Sequence, residues 1–532
     1  MKKFIVVLLV LSMIFSLSAC GGSGEGGSGD GGSGAGGSSG TANEVLYHSY
    51  GLQPYVTLDP RSENSNGVMV LNNVYETLTH YNDQTGEVEP LLATSWESKD
   101  DGLTWVFQVR DDVTFHDGTA MTAQNVANSI NSTIEMGMGA AYIWDAVESV
   151  EATGDYEVTF KLTYAAPIDI ISSAAYAAFV VSDAALEQNT EWFNEGNDGG
   201  TGPYMITQAT GDSVVLKGYD DYRDGWKDNQ YKNVIIKESA ESSARRQLIE
   251  TGEAQITDGL AATDIKALRE ETDKVTLQEF GTYTNTILFP NHDCEPCSNV
   301  YFRQALAYAF PYQETINDVI EGNAEESSGL VTRGLWGHDD SIGSYATDLD
   351  KAKECLDKSG IDYEGMTLTL TYSTGTGEYD SLCQLYQINL KKLGINLELS
   401  PMEWDSQWDK AKASKPEDRQ DIFLMQWWPD YADPISWFTS LVHTEDEIYF
   451  NLAYISDEKY DAAIDDAIAN TVTDREKAEQ EYIDVQKQLY ENADLIPMYD
   501  MIHIYAVSNE ISGVYENPAY NTCIFYYNVT KN

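Results

Sequence analysis

The densest chemistry in this 532-residue chain is the decapeptide Met425-Gln-Trp-Trp-Pro-Asp-Tyr-Ala-Asp-Pro434. It sets three aromatic rings, Trp427, Trp428 and Tyr431, beside two carboxylates, Asp430 and Asp433. Apolar walls with a few convergent polar groups make a small-molecule pocket, and a carboxylate held in such walls suits a cationic group. Asp and Pro also build ordinary surface turns, so a turn with two solvated carboxylates is the alternative. Asp433 fits the turn before Pro434. If the stretch is extended, successive side chains face opposite ways, so one of Trp427 and Trp428 enters the core and the other meets the pocket. Trp404 and Trp408 stand one helical turn apart, as an aromatic wall or as core. Arg333, shortly before Trp336-Gly337, offers either a bidentate contact to a carboxylate or a solvated surface cation.

Covalent chemistry has no comparable signature. Tyr372-Ser-Thr-Gly-Thr-Gly377 lacks both the dinucleotide spacing and the lysine of a phosphate loop. The one Gly-x-Ser-x-Gly match, Gly36 to Gly40, falls in a Gly/Ser-rich stretch with no strand before it or helix after it in the pattern, and His-Glu-x-x-His does not occur. Among 86 acidic residues some pair always resembles a glycosidase dyad, so acid pairs carry no information. The chain is expected not to be an enzyme and to need no cofactor. His292-Asp-Cys-Glu-Pro-Cys297 presents three ligand-type side chains where a structural zinc site wants four, so no metal is expected. Outside the cytoplasm a local Cys294–Cys297 disulfide is the expectation.

The elements that must position these residues begin after an address label. Lys2 and Lys3 precede an apolar run from Phe4 to Ala19, the pattern of a secretory signal over residues 1–19. Leu17-Ser18-Ala19-Cys20 resembles the lipobox of bacterial lipoproteins, which implies cleavage before Cys20 and acylation of its thiol. Residues 21–40 hold twelve glycines and five serines, so 20–42 reads as a flexible tether. Two or more acyl chains anchor stably where one is marginal. The expected location is the extracellular face of the cytoplasmic membrane. A formal charge of −54, from 32 basic and 86 acidic residues, argues against nucleic acid.

From residue 43 onward strand and helix signals mix. Trp105–Val109 and Tyr156–Leu162 alternate as half-buried strands do. Met121–Ile134 reads as a helix, and Val472–Ala493 as a long amphipathic helix with Asp474 near its start. Met366–Ser373, Tyr379–Leu393 and Ile395–Leu399 form a strand–helix–strand unit, which favours a parallel pair.

Ordered motifs make the reading specific: Val74-Tyr-Glu-Thr-Leu78, Val113-Thr-Phe-His-Asp-Gly118, Gly200-Thr-Gly-Pro-Tyr204, Arg303-Gln-Ala-Leu-Ala-Tyr-Ala309, Trp336-Gly337 and Trp427-Trp-Pro-Asp-Tyr-Ala-Asp-Pro434. Over 45–530 the chain resembles the extracellular solute-binding proteins of peptide-type ABC importers, the oligopeptide- and dipeptide-binding family. The resemblance implies an α/β, bilobal, type II periplasmic-binding-protein-like fold. Lobe I would comprise 43–85, 201–290 and 498–532, with an extra subdomain at 86–200, and lobe II 291–497. A hinge is expected near Phe289-Pro290-Asn291 and Leu495-Ile496-Pro497. The resemblance further implies a monomer that captures a small peptide between the lobes and hands it to membrane permease subunits. Asp430 would meet the peptide's α-ammonium, with Trp427, Trp428, Tyr431, Arg333 and Trp404 as further contacts. The alternatives are the same fold holding an oligosaccharide or a metal chelate, or a peptide-sensing receptor.

Overall fold

The computed structural model describes residues 45–270, 273–374 and 377–532. The signal segment, Cys20 and the tether lie outside the described residues.

At the centre of the molecule, Val275–Pro290 and Ile496–Ser508 run antiparallel as the two longest strands of an 11-stranded mixed sheet among the described residues. Beyond Val275–Pro290 the sheet continues through Ile422–Trp427 and Thr367–Ser373 to Asn396–Met402. Beyond Ile496–Ser508 it continues through Ile256–Thr257, Val45–Tyr50, Asn233–Glu238 and Ser213–Gly218 to Tyr204–Thr210. The central ladder loses register between Gly281 and Asn285, an irregularity of the kind that bends and twists a strand pair. The same pair shifts again between Thr286 and Ile287, while the ladder of Val275–Pro290 with Ile422–Trp427 is regular, with Phe289 opposite Phe423 and Pro290 opposite Ile422.

Local sequence accounts for most elements. Thr367–Ser373 and Asn396–Met402 pair in parallel, Thr367 opposite Asn396, and the helix Gly377–Lys392 connects them. That helix gives way to Gly394 at φ 92, a backbone angle that glycine reaches without steric cost. Thr122 and Asn125 cap Ala123–Met136 reciprocally. Arg475–Asn492 begins three residues later than the pattern suggests, because the backbone at Asp474 leaves the helical region and its carboxylate caps the Lys477 N–H.

The helix Ala123–Met136 packs on a four-stranded antiparallel sheet ordered Ala93–Lys99, Thr104–Val109, Glu157–Leu162, Val147–Gly154. Val126, Ala127 and Ile130 meet Phe107, Val158 and Phe160 in one core cluster. Glu157–Leu162 alternates in burial as its pattern predicts. Thr104–Val109 is buried at every position but Gln108. It is an interior strand, and its neighbours Glu97 and Thr159 flank Val106 on the face that would otherwise be wet.

Three of the ordered motifs meet at one buried junction. Glu76 makes a double ion pair with Arg223, 2.6 Å at each oxygen, and accepts the Thr201 hydroxyl at 2.9 Å. The His116 N–H donates to the Gly200 carbonyl, and its ring pairs with Asp198. A Cβ on Gly200 would lie 2.0 Å from the Val74 carbonyl oxygen, so only glycine fits there. These motifs are stitching, not a binding surface.

The expected Cys294–Cys297 disulfide does not form: both thiols are free, as are Cys355, Cys383 and Cys523. Cys297 points into the core beside Phe302 and Leu306 while Cys294 stays half-exposed. His292 is turned to the Asp494 carbonyl at 3.1 Å, and burial lowers its pKa to about 3.

Candidate functional site

Asp430 follows the strand Ile422–Trp427 and is held from below by the Trp336-Gly337 motif. The Trp336 indole donates to the Ala432 carbonyl at 3.0 Å, and Gly337, at φ 83, lets Pro434 approach closely. Asp433 is fully buried and accepts the Ile435 N–H at 2.8 Å, closing the turn. Burial pushes its pKa up to about 7.

The Asp430 carboxylate faces two tyrosines from a distant part of the chain. One oxygen, Oδ1, accepts the Tyr142 hydroxyl at 2.7 Å and the Tyr176 hydroxyl at 2.9 Å. A buried indole ties the two tyrosines together, because Trp144 donates to the Ala177 carbonyl at 2.8 Å. Ala177 itself sits at φ 59, a left-handed conformation that costs a residue with a Cβ and persists only where packing holds it. Burial raises the Asp430 pKa, and the two phenolic donors only partly counter that.

Asp430, Trp428 and Tyr176 line a cavity of about 240 Å³ together with Tyr50, Leu52 and Thr522. Tyr50, Leu52 and Thr522 are also walls of a second cavity of about 340 Å³, which holds Arg245, Asp258 and His503. Leu260, Asn323 and Met501 are then shared with a third, of about 150 Å³, bearing Glu378 and Gln426. In the second cavity Asp258 accepts the Gly51 N–H at 2.8 Å, and burial raises its pKa to about 6.

Of the residues singled out in the sequence, the structure brings Asp430 and Trp428 together on the first cavity; Trp428 is 50% exposed. Trp427 is not among its walls. Its indole donates to Ser436 at 3.1 Å and its ring packs edge-on against Phe450, since the period-2 pleat turns it to the opposite side from Trp428. Tyr431 packs between two core clusters. Trp404 stacks on Trp408 with centroids 5.0 Å apart; Trp408 reaches the core at Phe423, while Trp404 stays half-exposed and lines none of the three cavities. Arg333 is committed to Glu325 at 2.6 Å and Asp340 at 3.1 Å, and lines an adjoining cavity of about 300 Å³ that shares Met501 and Ile502 with the second and Pro518 with the first. Cys20 lies outside the described residues.

Tyr142 and Tyr176 escape sequence reasoning altogether. They lie 288 and 254 positions from Asp430, and nothing distinguishes them among 34 tyrosines.

A long mixed sheet carrying an aromatic, carboxylate-bearing cavity is the architecture of a solute-binding protein. The chain belongs to the bacterial extracellular solute-binding proteins, family 5, whose middle-region model matches residues 87–448. The probable D,D-dipeptide-binding periplasmic protein DdpA of Escherichia coli (strain K12) is 27% identical over 480 residues, 88% of this chain and 89% of that protein. HbpA2 from Haemophilus parasuis superposes with a TM-score of 0.82 at 21% identity, over 92% of this chain and all of that one. DppA from Helicobacter pylori, solved with the peptide STSA, superposes with a TM-score of 0.72 at 22% identity, over 92% of this chain and 98% of that one. The fold is that of the type II periplasmic-binding proteins.

Proposed function

We propose that this protein is the lipid-anchored substrate-binding component of an ABC importer, capturing peptides outside the cell for delivery to permease subunits. The observation that carries the reading is the Asp430 carboxylate at the wall of an aromatic cavity, held by two phenols on a single oxygen. An incoming α-ammonium finds the other oxygen for a charge-assisted hydrogen bond, worth about 1.5–3 kcal/mol. Membership of family 5 and the names of the Escherichia coli and Helicobacter pylori proteins support peptide as the solute.

In this reading segments 43–85, 201–290 and 498–532 form one lobe, with 86–200 packed on it, and 291–497 forms the other. Tyr142 and Tyr176 then reach across to Asp430. Ligand closes the lobes by binding the closed state better than the open one, shifting an existing equilibrium. The molecule works as a monomer and performs no covalent chemistry. Anchoring through acylated Cys20 rests on the lipobox resemblance, and release of a C20A variant from membranes tests it.

Mass spectrometry of the small molecules that co-purify with the mature protein tests the assignment. Peptides are the expected result. A sugar or a metal chelate in their place refutes it.

A further inference from the structure

The charges around the three cavities point to a narrower ligand class than peptides in general. Every lysine and arginine beyond Lys3 lies among the described residues. None lines the first or third cavity, and Arg245 alone lines the second. Arg245 is 4% exposed and already occupied: its guanidinium donates to the backbone carbonyls of Asp258, Ser239, Ala240 and Gly259. The other ionisable cation there, His503, has its Nδ1 on Glu516 at 2.8 Å. Arg333 is spent on Glu325 and Asp340.

A helix start offers a second way to hold a carboxylate, and the helix Val68–Val74 does begin at the first cavity. Beside that start, against Gly67, lies the protein's own Glu63, which is 2% exposed and repels a second carboxylate. Glu63 Oε1 accepts the Ser65 N–H and hydroxyl, and its Oε2 accepts the Thr57 N–H at 2.8 Å. The remaining polar walls of the first cavity, Asn64, Asn66, Thr284 and Asn521 among them, are neutral. Negative groups are plentiful by contrast: Asp430 in the first cavity, Asp258 in the second and Glu378 in the third.

We propose that this site selects an organic ammonium that brings no carboxylate into the first cavity: an amine, or a peptide whose C-terminus is blocked or lies beyond these walls. The proposal rests on the assignment of Asp430 as the ammonium partner. Its physical ground is asymmetry. The ammonium relieves a half-buried carboxylate, whereas a carboxylate a few ångströms away loses its water, meets no free cation and repels Asp430. A free dipeptide carries both groups and forfeits on the second what it gains on the first.

Titration calorimetry of the mature full-length protein at pH 7.5 with alanyl-phenylalanine, its C-terminal amide and spermidine tests this. The amide is expected to bind at least tenfold tighter than the free acid, and Asp430→Asn to weaken the amide at least tenfold while the protein stays folded. Equal or tighter binding of the free acid overturns the proposal and leaves peptide capture standing. Binding of spermidine alone upholds the charge selection and removes peptide as the solute. No binding of any of the three overturns both, and an Asp430→Asn protein with undiminished affinity overturns the placement of the ammonium.

Discussion

Replacing Asp430 by asparagine separates its electrostatic part from its structural one. The asparagine carbonyl oxygen can still accept the Tyr142 and Tyr176 hydroxyls, now 2.7 and 2.9 Å from Oδ1, so the geometry is kept and only the charge is lost. A hydrogen bond to a charged group contributes about 1.5–3 kcal/mol. At about 1.4 kcal/mol per factor of ten, ligand affinity should fall roughly 10- to 150-fold. Folding should respond in the opposite direction. The carboxyl's pKa is raised by burial, so its charge is more costly in the folded chain than in the unfolded one. Its contribution to stability is therefore fully present below the unfolded value of about 3.9 and is lost as pH rises through the folded value. The asparagine variant should accordingly melt at the same temperature as the parent, or higher, at neutral pH, with any advantage disappearing on acidification. Asp430→Ala is the contrasting case, because it deprives the part-buried Tyr176 phenol of its acceptor at a cost of about 1–3 kcal/mol, while the half-exposed Tyr142 turns to water. Calorimetry with the co-purified ligand and a thermal melt of the ligand-free protein read both effects. Unchanged affinity in an asparagine variant that melts lower would refute the reasoning, since Asp430 would then be a structural group alone.

Three further outcomes follow from the fold. Glu76→Gln removes the double ion pair and leaves the buried Arg223 guanidinium only the longer contact to Asp224 at 3.8 Å, and equilibrium urea unfolding should show a loss of about 3–5 kcal/mol, typical of a broken buried pair; a loss well under 1 kcal/mol contradicts that. Asp433→Asn should gain stability over the parent as pH rises from about 4 to 8, because the buried carboxyl's stabilising contribution is lost as it ionises near pH 7; a pH-independent difference between the two melts counts against it. Alkylation under denaturing, non-reducing conditions should label both Cys294 and Cys297, and an unlabelled peptide two hydrogens lighter restores the disulfide.

Much of this protein was readable along the chain. The parallel strand–helix–strand unit at 367–402, the capped helix after Thr122 and the alternating strand at 157–162 are products of local periodicity, capping and glycine placement. Those signals act over a few residues. The membership of the family was equally legible, because its short motifs, such as those holding Glu76 and Thr201, carry the residue types that a buried junction with Arg223 needs. The position of Asp430 in an aromatic stretch was visible too, and so was the pleat that divides Trp427 from Trp428.

Tertiary structure alone decided the rest. Only folding brings Tyr142 and Tyr176, more than 250 residues away in sequence, onto one oxygen of Asp430. It also settled the fate of the cations. Arg333 and Arg245 look available as letters, yet one is drawn to Glu325 and Asp340 and the other to four carbonyls. A hydrogen-bond partner is a matter of distance and direction in space, and neither is encoded at any fixed separation in sequence.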